Sequence, residues 1–184
     1  LPCTPGTFGE EVTDGVRKCS LCDANTFTNV SKQLKCTKCA TGRTADAGSV
    51  SCSLCPAGQH VKYGSCVECT KGRYQPSMEE NSCIECEKGK ISKNTGATTC
   101  SVCNNGFHQN ISSQSSCLKC KAGRFKKEQL MGTDDNYDCE WCNAGLYQGD
   151  DGQASCLPCI PGKQSNQVGQ EICKDCIAGQ KRDS

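Results

Sequence analysis

The chain has 184 residues, a formal net charge of +1 and only 5% aromatic residues. Leu, Ile, Val and Phe make up about 14% of it, too little for an ordinary hydrophobic core. Its scattered charges form no basic stripe for nucleic acid, and its apolar runs are too short to span a bilayer. What it has instead is 21 cysteines, the composition of a disulfide scaffold made for an oxidising compartment. A secreted, extracellular or cell-surface location follows. With neither an initiator Met nor a signal peptide, the sequence reads as a processed or excised piece of something longer.

Cys3 stands alone at the start. Ten C-x-x-C pairs follow: Cys19/Cys22, Cys36/Cys39, Cys52/Cys55, Cys66/Cys69, Cys83/Cys86, Cys100/Cys103, Cys117/Cys120, Cys139/Cys142, Cys156/Cys159 and Cys173/Cys176. Most steps between pairs are 17 residues. A fixed period of this kind is an array of one small unit. The units run 1–19, 20–36, 37–52, 53–66, 67–83, 84–100, 101–117, 118–139, 140–156 and 157–173, and 174–184 begins an eleventh.

Three residues after each opening cysteine stands Gly6, Asn25, Gly42, Gly58, Gly72, Gly89, Gly106, Gly123, Gly145, Gly162 or Gly179. The one substitute is Asn, which tolerates positive φ best after Gly. The slot therefore needs a left-handed residue, and Pro5-Gly6 and Pro161-Gly162 fit a type II turn. Two residues further on come Phe8, Phe27, Thr44, His60, Tyr74, Ile91, His108, Phe125, Tyr147, Gln164 and Lys181. This slot, rich in aromatic and His side chains, is predicted as the inward face of a short strand stacked on the neighbouring repeat. A second glycine (Gly15, Gly48, Gly96, Gly152, Gly169) often precedes the closing cysteine by four, and polar residues stand there in most other units. It reads as a second, looser turn. Each unit is thus two short extended runs joined by turns, with little or no helix.

Sequence alone does not prove connectivity, but one pairing is economical. The second cysteine of each C-x-x-C opens a loop that the next pair's first cysteine closes: Cys3–Cys19, Cys22–Cys36, Cys39–Cys52, Cys55–Cys66, Cys69–Cys83, Cys86–Cys100, Cys103–Cys117, Cys120–Cys139, Cys142–Cys156 and Cys159–Cys173. Cys176 is left to open a further unit, so a longer parent chain or a second subunit is expected to supply its partner. One bridge stabilises such a loop by about 3 kcal/mol, far less than the ordering entropy of the residues it encloses. Units must therefore lean on their neighbours, as in a solenoid. The expected fold is small, disulfide-rich, mostly β and irregular: an elongated solenoid-like rod of tandem one-disulfide repeats. Contacts are expected mainly between units one apart. A bend or change of twist is expected at the short loop between Cys55 and Cys66 and at the long one between Cys120 and Cys139.

The combination C-x-x-G-x-[FY], polar loop, G-x-x-x-C-x-x-C resembles the ephrin-receptor-like cysteine-rich repeat. It is also similar to the one-disulfide module of tumour necrosis factor receptors. The resemblance covers residues 3–179 and implies an extracellular module. Such modules occur in receptor ectodomains and, as long arrays, in surface, matrix and flagellar-hair proteins of algae and other protists. The crossed disulfides of the animal receptors and any interleaved domain are missing from this sequence, which favours an array.

Other chemistries fit less well. C-x-x-C pairs at this spacing suit zinc, but an unbroken ladder assigns each pair equally to two sites and leaves Cys3 no role. Redox catalysis needs one exposed low-pKa thiol on an α/β scaffold. His60 and His108 replace aromatic residues and read as packing groups, so no metal or cofactor is expected. Asp134-Asp135 and Asp150-Asp151 lack EF-hand spacing and read as solvated loops. Trp141 is either a contact residue or packing over the long loop. The sequons Asn29-Val30-Ser31 and Asn110-Ile111-Ser112 fall at the same place in their units and are candidate N-glycosylation sites. The expected function is structural and non-enzymatic: part of a stalk, surface coat or extracellular filament that meets protein partners, itself included. The alternative is a ligand-binding receptor ectodomain.

Overall fold

The computed structural model describes residues 2–11, 17–127 and 137–177. Contacts divide the chain into two compact units, Leu1–Glu85 with Asn94–Cys100 and Cys86–Lys93 with Ser101–Ser184. Among the described residues there is no helix, and twenty short strands pair into ten two-stranded antiparallel ribbons. Most strands are two residues long. The exceptions are Thr7–Glu11 with Arg17–Leu21 and Gln59–Lys62 with Ser65–Glu68.

The bridges follow the chain in sequence: Cys3–Cys19, Cys22–Cys36, Cys39–Cys52, Cys55–Cys66 and Cys69–Cys83 in the first unit. Cys103–Cys117, Cys120–Cys139, Cys142–Cys156 and Cys159–Cys173 lie in the second. Cys86 and Cys100 are also disulfide-bonded, and Cys176 is the free cysteine. Sulfur forms the core. Cys22, Cys55, Cys69, Cys86, Cys120 and Cys142 are fully buried, and Ala45 is the sole non-cysteine among the buried apolar residues described.

Each repeat opens with a β-turn. The residue four after the opening cysteine donates its N–H to the carbonyl one after it, as in Thr7 to Thr4, Arg73 to Thr70 and Lys163 to Ile160. The third turn residue has φ between 64° and 85° wherever described, Asn25 included. That is the type II geometry the Pro-Gly pairs suggest. The slot four before the closing cysteine is equally left-handed at Lys32, Gly48, Glu79, Gly96, Ser113, Gly152 and Gly169. The second turn is therefore as fixed as the first, although its residue type varies. A short polar side chain, or a long one that leaves toward solvent, meets the requirement at some cost in strain.

Backbone bonds then join repeat to repeat. The first-turn N–H donates to a carbonyl in the next repeat: Gly6 to Thr28, Asn25 to Ala45, Gly58 to Gln75, Gly106 to Lys126, Gly123 to Gln148, Gly145 to Ser165. The second-turn N–H donates backward to the preceding repeat's opening cysteine: Lys32 to Cys3, Gly48 to Cys22, Glu79 to Cys55, Ser113 to Cys86, Gly152 to Cys120, Gly169 to Cys142.

Adjacent repeats share most of the backbone bonds between units, but the contacts also reach further. A Cβ placed on Gly6 would stand 2.2 Å from the Gly48 carbonyl oxygen, two repeats on. The same holds for Gly42 with Glu79 (1.9 Å), Gly58 with Gly96 (2.2 Å), Gly106 with Gly152 (1.9 Å) and Gly123 with Gly169 (2.2 Å). The units are too thin to keep second neighbours apart, because each is a single ribbon with no side-chain layer at its turn. Nor does the aromatic slot hold the most buried side chain. Phe27, Tyr74, His108 and Tyr147 are half-buried, whereas the next residue is buried in most repeats: Thr28, Ala45, Gln75, Ser92, Gln109, Lys126, Gln148 and Ser165, with Val61 of the short repeat half-buried.

Candidate functional site

The buried slot is polar because it ties the repeat's own loop together. Gln75, Gln109 and Gln148 each donate Nε2 to a carbonyl just before the closing cysteine: Ser82 (2.6 Å), Ser116 (2.9 Å) and Ser155 (2.8 Å). Their Oε1 atoms accept from the N–H two residues on: Ser77, Ile111 and Asp150, each at 3.1 Å. Lys126 reaches the Asp138 carbonyl at 3.0 Å, while Thr28 and Ser165 bond the Val30 and Gln167 carbonyls. Each clamp satisfies backbone groups that would otherwise be costly to leave unpaired. The sequence signal was there: Gln recurs six residues after the opening cysteine, but it is hidden by Thr, Ala, Ser and Lys in other repeats.

The half-buried slot lies against the bridge of the following repeat. His60 Nδ1 is 3.1 Å from Cys83 Sγ, and Thr44 Oγ1 is 3.8 Å from Cys66 Sγ. His60, Cys69 and Cys83 cluster closely enough to hold an ion, as do His108, Asp138 and Cys139. In both sets the cysteines are locked in disulfides. A disulfide sulfur is no thiolate ligand, so neither set is a metal centre in this oxidised form. His108 Nδ1 lies 3.2 Å from Asp138 Oδ1 without the angle of a hydrogen bond.

The outer face of the ribbons carries complementary cross-strand pairs. Arg73 pairs with Glu85, and Lys163 with Asp175 at 3.1 Å. Arg124 stacks over Trp141, its guanidinium carbon 4.1 Å from the ring centroid. Trp141 is 54% exposed, and its ring also covers Gly169. It is packing and exposed surface at once. Asp151 takes Lys121 Nζ on one oxygen and the Ala122 N–H on the other, both at 2.9 Å. The Lys121 hydrogen bond, then that of Ala122, holds its carboxyl below the ordinary 3.8. Asp134 and Asp135 lie outside the described residues. Asn29 and Asn110 are exposed.

Sequential bridges, paired turns and interlocked ribbons define a tandem array of one-disulfide cysteine-rich repeats. The family described as "Tyrosine-protein kinase ephrin type A/B receptor-like" matches residues 6–47, 61–99 and 89–130. More than half of the chain is covered, and the chain belongs to this ephrin-receptor-like family. No curated protein matches it. Its bridges and repeats are those of an extracellular cysteine-rich domain, and no helix among the described residues is long and apolar enough to cross a membrane.

Proposed function

We infer that this chain is a structural, non-enzymatic segment of an extracellular stalk, surface coat or filament. One observation carries the reading: the inter-repeat bonds recur in register, from turn N–H to the same carbonyl slots, in most of the repeats. Interactions invested in propagating a lattice suit a load-bearing element, as in other repeat proteins. The repeats meet further repeats or other protein partners through the same edges, and N-glycans decorate them at Asn29 and Asn110. Electron microscopy and small-angle scattering test this. A particle clearly longer than a compact chain of this length is expected. A radius of gyration near the roughly 16 Å of a compact chain of this length would overturn it.

The second reading is a ligand-binding ectodomain. It draws on the family's receptor description and on Trp141, which remains half open beside Arg124, a pairing typical of interface hot spots. A soluble ligand whose binding is lost in Trp141→Ala, with the particle length unchanged, would favour it.

A further inference from the structure

The chain has two histidines, and both occupy the half-buried slot that lies against the bridge of the following repeat. Of the two, His60 bonds the sulfur. Its Nδ1 stands 3.1 Å from Cys83 Sγ. Cys83 is bridged to Cys69, and a disulfide sulfur carries no hydrogen. The imidazole therefore donates, and its proton sits on Nδ1. His108 differs. Its Nδ1 faces Asp138 Oδ1 at 3.2 Å without a hydrogen bond, and the closing Cys139 beside it is buried.

The bridge between Cys142 and Cys156 is a matched sister. Both bridges have a sequence separation of 14. Cys69 and Cys142 are fully buried, and Cys83 and Cys156 are half-buried. The slot in the repeat before the sister bridge holds Phe125 where the other has His60. A neutral disulfide sulfur gains little from a donor. A thiolate gains more, because a hydrogen bond to an ion is about twice as strong as one between neutral groups, and a neighbouring imidazole holds a cysteine as thiolate. His60 therefore favours the reduced form of its bridge, and Phe125 does nothing of the kind. A couple whose reduced form is stabilised is the more readily reduced.

We propose that Cys69–Cys83 is a redox-responsive bridge, opened by an external dithiol ahead of its matched sister, and that the His60 contact sets it apart. The two sulfurs of the dithiol join as its own disulfide and give up two electrons and two protons. The electrons go to the Cys69–Cys83 bond, which breaks. Cys83 is left as a thiolate under the His60 Nδ1–H, Cys69 takes one proton, and the other passes to solvent. The position is consequential. Gly58 donates to Gln75, Glu79 to Cys55 and Gly96 to Cys69, while Gly42 reaches Asn81 and Arg43 pairs with Glu79. Opening the loop of repeat five thus loosens repeats three to six, whether the array serves as a filament or as an ectodomain.

The test uses the whole chain in its oxidised fold, with Cys176 capped by iodoacetamide to stop exchange. The chain is equilibrated in buffers of reduced and oxidised dithiothreitol at about pH 9, where a free cysteine is mostly thiolate. Acid quenching, maleimide labelling and peptide mapping then give the reduced fraction of each bridge. The equilibrium constant for reduction of Cys69–Cys83 is expected to exceed that of Cys142–Cys156 by about tenfold. His60→Phe, which installs the residue of repeats one, two and eight, should bring the two bridges level. Mere loosening of the packing would instead raise reduction, so the sign separates the two causes. Phe125→His should raise the reduction of Cys142–Cys156 without touching the His60 slot. The proposal is overturned by equal reduction of the two bridges in the natural chain, by a lead of Cys69–Cys83 that survives or grows in His60→Phe, or by an unchanged Cys142–Cys156 in Phe125→His.

Discussion

Gly106 and Gly162 have the same backbone, with φ of 76° and 83°, but different surroundings. An Ala Cβ at 106 would stand 1.9 Å from the Gly152 carbonyl oxygen and 2.4 Å from its carbon. At 162 nothing described lies within 4 Å. Both Gly→Ala changes incur the left-handed penalty of about 1–2 kcal/mol. At 106 the obstacle is main chain, so the second turn of repeat nine must move. Its Gly152 N–H is held to the Cys120 carbonyl at 2.7 Å, and breaking that bond costs about 1 kcal/mol more. Overpacking adds about 1–3 kcal/mol. Gly106→Ala should therefore cost roughly 3–6 kcal/mol, at least about 2 kcal/mol beyond Gly162→Ala, or about 30-fold in local opening. Native-state hydrogen exchange read peptide by peptide is the right assay, because an array does not unfold in two states. Gly106→Ala should deprotect repeats seven to nine, including amides two repeats from the substitution; Gly162→Ala should act only around its own turn. Equal losses in the two variants, or a Gly106→Ala effect confined to repeats seven and eight, would refute the second-neighbour contact.

Gln148→Ala should cost about 1–3 kcal/mol by stranding the Ser155 carbonyl and the Asp150 N–H, whereas Gln148→Lys, which copies Lys126, should recover most of the Ser155 bond; exchange at Asp150 separates the two. Tyr63 is 95% exposed with φ 49° in the two-residue turn between Lys62 and Ser65, and Gly64 follows at φ 80°. Asn-Gly is the favoured pair for such a turn, so Tyr63→Asn should stabilise the hairpin by about 1 kcal/mol, visible as slower exchange in Gln59–Glu68. Asp151 has a lowered pKa in the folded chain, so its contribution is present above the ordinary carboxylate value and is lost as pH falls through the depressed one. The Ala122 amide resonance should titrate at that lower pH, and in Lys121→Ala the transition should move up.

Much of the architecture is legible in the residues because cysteine and glycine report directly on covalent and backbone constraints. The lone Cys3 and the leftover Cys176 suggest the order of the bridges, and Asn25 as the sole substitute for Gly reveals the left-handed turn. The clamp is less legible. Gln, Lys, Thr and Ser all perform it, and an identity-based reading sees only polar variation where the structure sees one hydrogen-bonding task. The aromatic slot is half-buried against the next repeat, as at His60 beside Cys83, but the deepest side chain stands one residue further on for a related reason. Hydrophobicity marks Phe27 and Tyr147, yet in a chain whose core is disulfide sulfur, the deepest non-cysteine side chain is the one that satisfies backbone groups.

The second-neighbour contact explains a coincidence that the sequence leaves open. Repeat four is the short one, closed as a hairpin over 11 residues of separation between Cys55 and Cys66. Repeat two, two places earlier, is the one with Asn25 where the others have Gly. The structure brings these together: a Cβ on Gly64 would meet Asn25 Nδ2 at 2.0 Å. The short hairpin has no second-turn carbonyl at the usual place, and the Asn side chain fills the space left there, with its Oδ1 buried and unpaired. Repeat three adapts differently. Gly42 donates to Asn81 Oδ1 at 3.1 Å and Arg43 pairs with Glu79, both in repeat five. A change of loop length in one repeat is thus answered two repeats away and by its flanking neighbours. The repeats are coupled over three members, so the order of regular and irregular units is part of what the sequence specifies.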